Sequence, residues 1–392
     1  MENLDAVTEC LQSMTLQKLS IILPMDKPIK DSKLKELLNK LFGVPNLTHI
    51  TFDVTYGCKI EEGLEEFCES ISNFKGISMA VMLGKEKTTP EAVAKICESM
   101  KSLEQLQELK MITCDNSLEP GLNVLALAKA LPNLQSLIFC DNSYFDEFDK
   151  EEMKKVLMQI TELLKLQKVY YQSWRYLSNE LYQMVYRNIS KIPVLKKVKL
   201  IVGLKEDDQN EFESTSELVM SHPELESLYV ISAGKTKTEA FLKFLENVKN
   251  LGNLKKFGLL IQTLTENKDE VTKAMGETLS ALPLTKFHLS GFENLFTNEN
   301  SQALAKAYST MQSMVSFKIK YWHCSLTKEG VKEVIGSIAG LEKIEKVKLC
   351  FTGDNFKVTP EEETELTDFF ETSVFALPAK RVLYFGETSG MK

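Results

Sequence analysis

The chain has 392 residues, of which 43% are hydrophobic and 26% are charged, and its formal net charge is −8. This balance is ordinary for a folded protein in water, and no uncharged apolar run reaches the length of about 18 residues that a membrane-spanning helix needs. The negative charge argues against binding to nucleic acid or to an acidic membrane, and so does the scarcity of arginine among the 47 basic residues.

The first fifteen residues predict a short helix. Apolar residues recur at helical spacing at Leu4, Val7, Leu11 and Met14. We therefore expect residues 1–15 to form a half-repeat helix that covers the first strand. The acidic start of the chain lacks the basic region and apolar run of a secretory signal, so we expect a cytoplasmic protein.

From residue 16 onward, three apolar residues with the spacing L-x-x-L-x-L recur at intervals of about 30 residues. The thirteen first positions are Leu16, Leu47, Phe74, Leu106, Leu134, Leu166, Leu195, Leu225, Leu254, Leu284, Met314, Ile344 and Ala379. Each motif predicts a strand whose third and fifth residues after the first position point into the core. Between the motifs, apolar residues at helical spacing predict one helix, as in Leu122–Leu131.

Prolines separate the predicted helices from the predicted strands. Pro132 stands two residues before a strand motif, where a helix has to stop because proline cannot continue it. Pro90 follows Thr89 and Pro360 follows Thr359. Both pairs fit an N-cap threonine with proline at the first helical position.

The spacing of histidine and cysteine predicts neither a catalytic site nor a metal site. The eight cysteines form no C-x-x-C pair, and the four histidines have no H-E-x-x-H spacing. We expect no cofactor, no metal and no enzymatic activity, with the cysteines mostly buried and reduced. The segment Ser232–Thr236 is similar to the end of a phosphate-binding loop but has Tyr229 where that loop needs glycine, so we expect a solvated turn there.

One strand and one helix per unit of about 30 residues resembles the ribonuclease-inhibitor-like class of leucine-rich repeats. The resemblance covers residues 16–385 and depends on motifs such as Leu106-x-x-Leu109-x-Met111-x-x-Cys114. Most units lack the Asn or Cys of that class at the eighth residue after the first position, so the chain resembles a divergent member. The resemblance implies an α/β solenoid, a horseshoe with a concave parallel sheet and convex helices. We predict a single continuous domain over residues 16–392.

The register assigns the second, fourth and sixth residues after each first position to the concave face. These positions hold twelve basic residues but only two acids, Asp53 and Glu108. The chain as a whole has more acids than bases, with 55 Asp and Glu against 47 Lys and Arg. The predicted concave face is therefore positive on a negative molecule. Apolar and aromatic residues also lie on it, namely Ile138, Tyr170, Ile201, Tyr229, Ile231 and Leu260.

This face predicts a non-enzymatic scaffold that binds an acidic protein segment. The predicted partner-binding residues are Tyr170, Lys197, Lys199, Tyr229, Lys256, Lys286, His288, Lys318, Lys320, Lys346, Lys348 and Arg381. Because histidine titrates near pH 6.5, we expect protonation of His288 to strengthen binding below that pH. The same pattern argues against a small-molecule substrate.

Two alternatives remain open from the sequence. In the first, the chain is a structural subunit of a large assembly, docked through its helices or its open ends. In the second, it is a regulator that activates a small GTPase. In the second case Arg175 is the candidate residue for stabilising charge on the transferred phosphoryl group.

Overall fold

A computed structural model describes thirteen stretches of the chain. They are residues 16–22, 31–44, 46–54, 64–84, 89–113, 118–141, 149–204, 211–264, 267–291, 296–322, 324–352, 358–374 and 380–386. The predicted helix at residues 1–15 lies outside the described residues. The chain divides into two compact units, one of Met1–Tyr176 with Lys191–Leu195 and the other of Leu177–Ser190 with Lys196–Lys392.

Thirteen strands alternate with helices along the described chain. The strands are β1 Lys18–Ile22, β2 His49–Val54, β3 Ser78–Leu83, β4 Glu108–Thr113, β5 Ser136–Asp141, β6 Lys168–Leu177, β7 Lys197–Leu204, β8 Ser227–Thr236, β9 Lys256–Leu264, β10 Lys286–Gly291, β11 Ser316–Tyr321, β12 Lys346–Thr352 and β13 Lys380–Gly386. The α-helices are α1 Asp31–Phe42, α2 Leu64–Ile71, α3 Pro90–Met100, α4 Glu119–Ala130, α5 Lys150–Gln159, α6 Asn179–Ile189, α7 Glu211–Ser221, α8 Thr238–Lys249, α9 Lys268–Ala281, α10 Asn298–Thr310, α11 Lys328–Ala339 and α12 Pro360–Val374.

Within each unit, every strand pairs in parallel with the next strand of the chain. In the first unit this order runs from β1 to β6, and in the second it runs from β7 to β13. One parallel strand and one helix per repeat confirm the predicted leucine-rich-repeat fold. The single continuous domain over residues 16–392 stays a prediction.

The strand pairing agrees with the predicted columns except in two strands. In β3 the core positions are Met79 and Val81, two residues later than predicted, because they pair with Leu109 and Met111. This shift keeps the same side chains on the same face. In β13 the shift is one residue, since Arg381 pairs with the core residue Val347. A shift of one residue exchanges the two faces of the strand.

The two predicted N-caps are confirmed. The hydroxyl of Thr89 accepts a hydrogen bond of 3.2 Å from the backbone N–H of Ala92, at the start of α3. At the start of α12, Thr359 and Glu362 form a reciprocal pair in which each side chain accepts from the other's backbone N–H, at 3.3 Å and 2.9 Å. Such caps satisfy backbone donors that the first helical turn leaves unpaired.

The helices of the second unit pack on one face of its strands through aromatic side chains. The ring of Phe244 on α8 lies 6.5 Å from that of Phe257 on β9. Tyr308 on α10 lies 5.0 Å from Phe317 on β11, and its hydroxyl forms a buried hydrogen bond of 2.9 Å with that of Tyr321. Since side chains alternate along a strand, the opposite face of these strands carries the residues between the core positions. We call it the open face.

No helix in the described part of the chain has both the length and the apolar character that a membrane crossing requires.

Candidate functional site

The open face of β7–β12 consists of three rows of side chains, because the strands pair in register. The first row is Lys197, Ser227, Lys256, Lys286, Ser316 and Lys346. The middle row is Lys199, Tyr229, Gly258, His288, Lys318 and Lys348. The third row is Ile201, Ile231, Leu260, Ser290, Lys320 and Cys350. Neither Asp nor Glu occupies any position of the three rows.

The rows bring eight predicted lysines together on one surface. Lys318 pairs in register with Lys348, and adjacent strands lie only about 4.8 Å apart. Burial lowers the pKa of Lys318, and the nearby charges of Lys320, Lys348 and Lys199 lower it further. The lysines therefore repel one another, and an anion placed across them would relieve that repulsion.

One acid lies at the border of this surface. A carboxylate oxygen of Glu226 is 3.8 Å from Nζ of Lys197, and the other is 3.9 Å from Nζ of Lys196. All three side chains are at least one-third exposed, so these contacts are weak surface ion pairs. They are at the β7 end of the first row, away from β10–β12.

The middle row contains an aromatic seat at its centre. Gly258 pairs with Tyr229 on one side and with His288 on the other. An ideal Cβ on Gly258 would stand 1.8 Å from Cδ2 of Tyr229, so the phenol ring lies directly over the glycine backbone. The ring centroids of Tyr229 and His288 are 5.4 Å apart. Burial raises the pKa of Tyr229 to about 12, and Nζ of Lys199 lies 4.8 Å from the ring centroid.

His288 is neutral at physiological pH. Burial lowers its pKa to about 3, and the charges of Lys318, Lys320, Lys199 and Lys348 act in the same direction. The imidazole Nε2 lies 3.0 Å from the hydroxyl of Ser290. The expectation that His288 titrates near pH 6.5 is wrong for the free protein, and the effect of pH on partner binding stays a prediction. Isolated histidines keep their usual pKa, but here burial and four cations oppose a further positive charge.

The character of the open face changes along the sheet. At the β7–β9 end the third row is Ile201, Ile231 and Leu260. Ile201 is 8% exposed, and the other two are half-buried. At the β10–β12 end the same row continues with Ser290, Lys320 and Cys350. Nζ of Lys320 lies 5.1 Å from the ring centroid of Trp322.

Arg381 does not belong to the open face, and its assignment there is corrected. Its register with Val347 turns its side chain toward the helices, where its guanidinium lies 3.6 Å from the carboxylate of Glu371 on α12. Lys380 takes its place, since it pairs with Lys346 in the first row. Val382 extends the middle row beside Lys348 and is 39% exposed.

The remaining sequence candidates lie elsewhere. Tyr170 is on β6 in the first unit, where its hydroxyl donates a hydrogen bond of 2.5 Å to Gln172. Arg175 is also on β6, and its side chain is outside the described residues. Lys235 and Thr236 extend β8 and pair with β9, so the expected solvated turn at Ser232–Thr236 is corrected to a strand extension.

Among the described residues, no group of three or more His, Cys, Asp or Glu side chains is placed to hold a metal ion. Four of the described cysteines are buried thiols, namely Cys97, Cys140, Cys324 and Cys350, whereas Cys68 is partly exposed. Burial raises the pKa of Cys324 to about 12, which leaves it protonated and unreactive.

The role of Gly258 was missed in the sequence, although a signal was present. A glycine inside a strand marks a close approach by another group, and Gly258 stands between two aromatic residues of the same row. The contact between the hydroxyl of Ser290 and the imidazole of His288 was not predicted, because a serine at an open-face position gives no indication of which ring it contacts.

Comparison with known proteins shows the fold and no closer relationship. No protein-family model matches the chain, and no curated protein matches it in sequence. Among solved structures, the crystal structure of the Rad7 and Elc1 complex in yeast matches at 14% identity with a TM-score of 0.50, over 91% of this chain and 84% of that chain. The TLR13–ssRNA13 complex matches at 16% identity with a TM-score of 0.40. That match covers 82% of this chain, which spans only 42% of the TLR13 chain. The leucine-rich-repeat protein LegL7 from Legionella pneumophila matches at 12% identity with a TM-score of 0.36, over 91% of this chain and 98% of that chain.

Proposed function

We propose that the protein is a non-enzymatic interaction scaffold whose open face on β7–β12 binds an acidic segment of a protein partner. The observation that carries this proposal is the set of three in-register rows with eight lysines and no acid. Because the net charge of the whole chain is −8, the enrichment of lysine on this face does not reflect an excess of basic residues overall. Such a surface attracts an acidic partner and repels a basic one.

A local preference for lysine in strands is the simplest competing explanation, since long lysine side chains cover apolar surface with their stems. That preference accounts for lysine, but it does not account for the exclusion of Asp and Glu from all eighteen positions of the three rows. Burial is the main cause of the lowered pKa of Lys318, and the nearby charges of Lys320, Lys348 and Lys199 lower it further.

Charge reversal in the middle row tests the proposal. We expect the double variant Lys318→Glu, Lys348→Glu to weaken binding of a fluorescent peptide of about eight acidic residues by at least tenfold, which is about 1.4 kcal/mol. The measurement is fluorescence anisotropy at about 50 mM and about 300 mM salt, because an electrostatic contact between exposed charges weakens as salt is added.

A matched double variant serves as the control. Lys243 on α8 and Lys273 on α9 are exposed helix residues of the same unit, so Lys243→Glu, Lys273→Glu makes the same change in net charge. We expect this control to keep most of the affinity. Equal losses in the two double variants would show that net charge alone determines binding, and the open face would then not be the site.

A further inference from the structure

The open face has two chemically different ends that lie side by side on the same strands. Its apolar end consists of Ile201, Tyr229, Ile231 and Leu260 on β7–β9, where the first two rows also hold Lys197, Lys199 and Lys256. Its basic end consists of Lys286, Lys318, Lys320, Lys346 and Lys348 on β10–β12. In the third row the change falls between neighbouring strands, where Leu260 pairs with Ser290 and Ser290 pairs with Lys320.

From this arrangement we infer that the partner segment is a block of apolar residues continuous with a block of acidic residues, laid across the strands from β7 to β12. The inference rests on the proposed function and specifies the partner's chemistry. Charge complementarity orients the segment, since its carboxylates lie against the basic end. Its apolar side chains then lie against the apolar end, because that end is directly next to the basic end.

The aromatic seat divides the two ends. The ring of Tyr229 lies over Gly258 and reaches His288, whose imidazole is uncharged. This centre offers the flat faces of a phenol ring and an uncharged imidazole between the isoleucines and the lysines of β10–β12, with Nζ of Lys199 4.8 Å from the centroid of the phenol ring. It therefore suits a boundary between an apolar block and an acidic block.

The dimensions set the length of the segment. Six strands from β7 to β12 are separated by five gaps of about 4.8 Å, or roughly 24 Å in total, which an extended chain at about 3.3 Å per residue crosses with about seven or eight residues. About half of those residues would lie over each end.

Three fluorescent peptides of equal length test the inference by anisotropy on the full chain. One has an apolar half and an acidic half, one has the same composition with the two kinds of residue alternating, and one is entirely acidic. We expect the block peptide to bind at least tenfold more tightly than the alternating peptide. We expect the double variant Ile231→Ser, Leu260→Ser to remove that advantage while leaving the affinity for the acidic peptide within about twofold.

Ile138→Ser is the control, because Ile138 is a half-buried isoleucine on β5 in the first unit, outside the proposed site. Thermal melts of each variant establish that it is folded. Equal binding of block and alternating peptides, with the acidic peptide still lost in Lys318→Glu, Lys348→Glu, would overturn this inference and leave the proposed function standing. If heparin bound while all three peptides failed to bind, the face would be a general polyanion site and both proposals would be wrong.

Discussion

His288 couples folding to pH, whereas an exposed histidine with an unshifted pKa does not. Its pKa is about 3 in the folded protein but about 6.5 in an unfolded chain. Between these values the unfolded chain binds a proton that the folded protein does not. The free energy of unfolding therefore falls as pH falls below about 6.5, by about 1.4 kcal/mol per pH unit from this residue.

Replacing His288 by Gln removes this proton uptake. We expect the free energy of unfolding of His288→Gln to fall by about 1–2 kcal/mol less than that of the wild type between pH 7 and about pH 5. Urea denaturation at the two pH values measures both changes. Parallel losses of stability in the two proteins would show that the imidazole is not held in its neutral form.

The position of His288 could be predicted from the sequence, but its protonation could not. The repeat spacing places it in the same row as Lys318 and Lys348, and the strand pairing has them there. Its pKa depends on how deeply the ring is buried beside Tyr229 and on where four flexible lysine side chains end. Spacing fixes backbone positions, and these two quantities depend on side-chain conformation.

At the scale of elements, β9 contributes to the site because Gly258 has no side chain. An alanine at Gly258 would place its Cβ within 2.3 Å of two ring carbons of Tyr229, so the ring has to move toward solvent. We expect Gly258→Ala to lower the pKa of Tyr229 from about 12 toward its ordinary value near 10. Spectrophotometric titration measures this as one additional tyrosinate formed below about pH 11.

Gly252→Ala is the control for this change, because no atom lies within 4 Å of its ideal Cβ. Its titration curve should match that of the wild type, and Tyr229→Phe identifies the shifted group. An unaltered titration in Gly258→Ala would mean that the backbone of β9 moves and the ring of Tyr229 stays in place.

The two strands whose register differs from the prediction show what apolar spacing can determine. In β3, apolar residues alternate from Ile77 through Leu83, so the third and fifth residues after the first position match equally well two residues later, although the first position would then be Gly76. In β13, Val382, Leu383, Tyr384 and Phe385 are all apolar. Alternation then gives no preference for either face, and only the pairing with β12 decides it.

At the scale of the whole molecule, a single continuous domain predicts that the repeats unfold together. The two tryptophans test this, since Trp174 is on β6 in the first unit and Trp322 is next to β11 in the second. We expect the urea midpoints reported by Trp174→Phe and Trp322→Phe to coincide, because repeat proteins gain stability from contacts between neighbouring repeats. Two different midpoints would show that the compact units unfold independently.

The in-register rows also imply a rule for how the length of the binding surface changes with the number of repeats. Each row takes one residue from every strand, so successive members are about 30 positions apart in the chain but about 4.8 Å apart in space. Duplicating the repeat that contains Lys318 and Lys320 would lengthen the basic end by one strand, enough for roughly one and a half more residues of an extended partner. Deleting it would bring His288 beside Lys348 and shorten the surface by the same step. The number of acidic residues that the protein accommodates would thus be set by how many repeats it has.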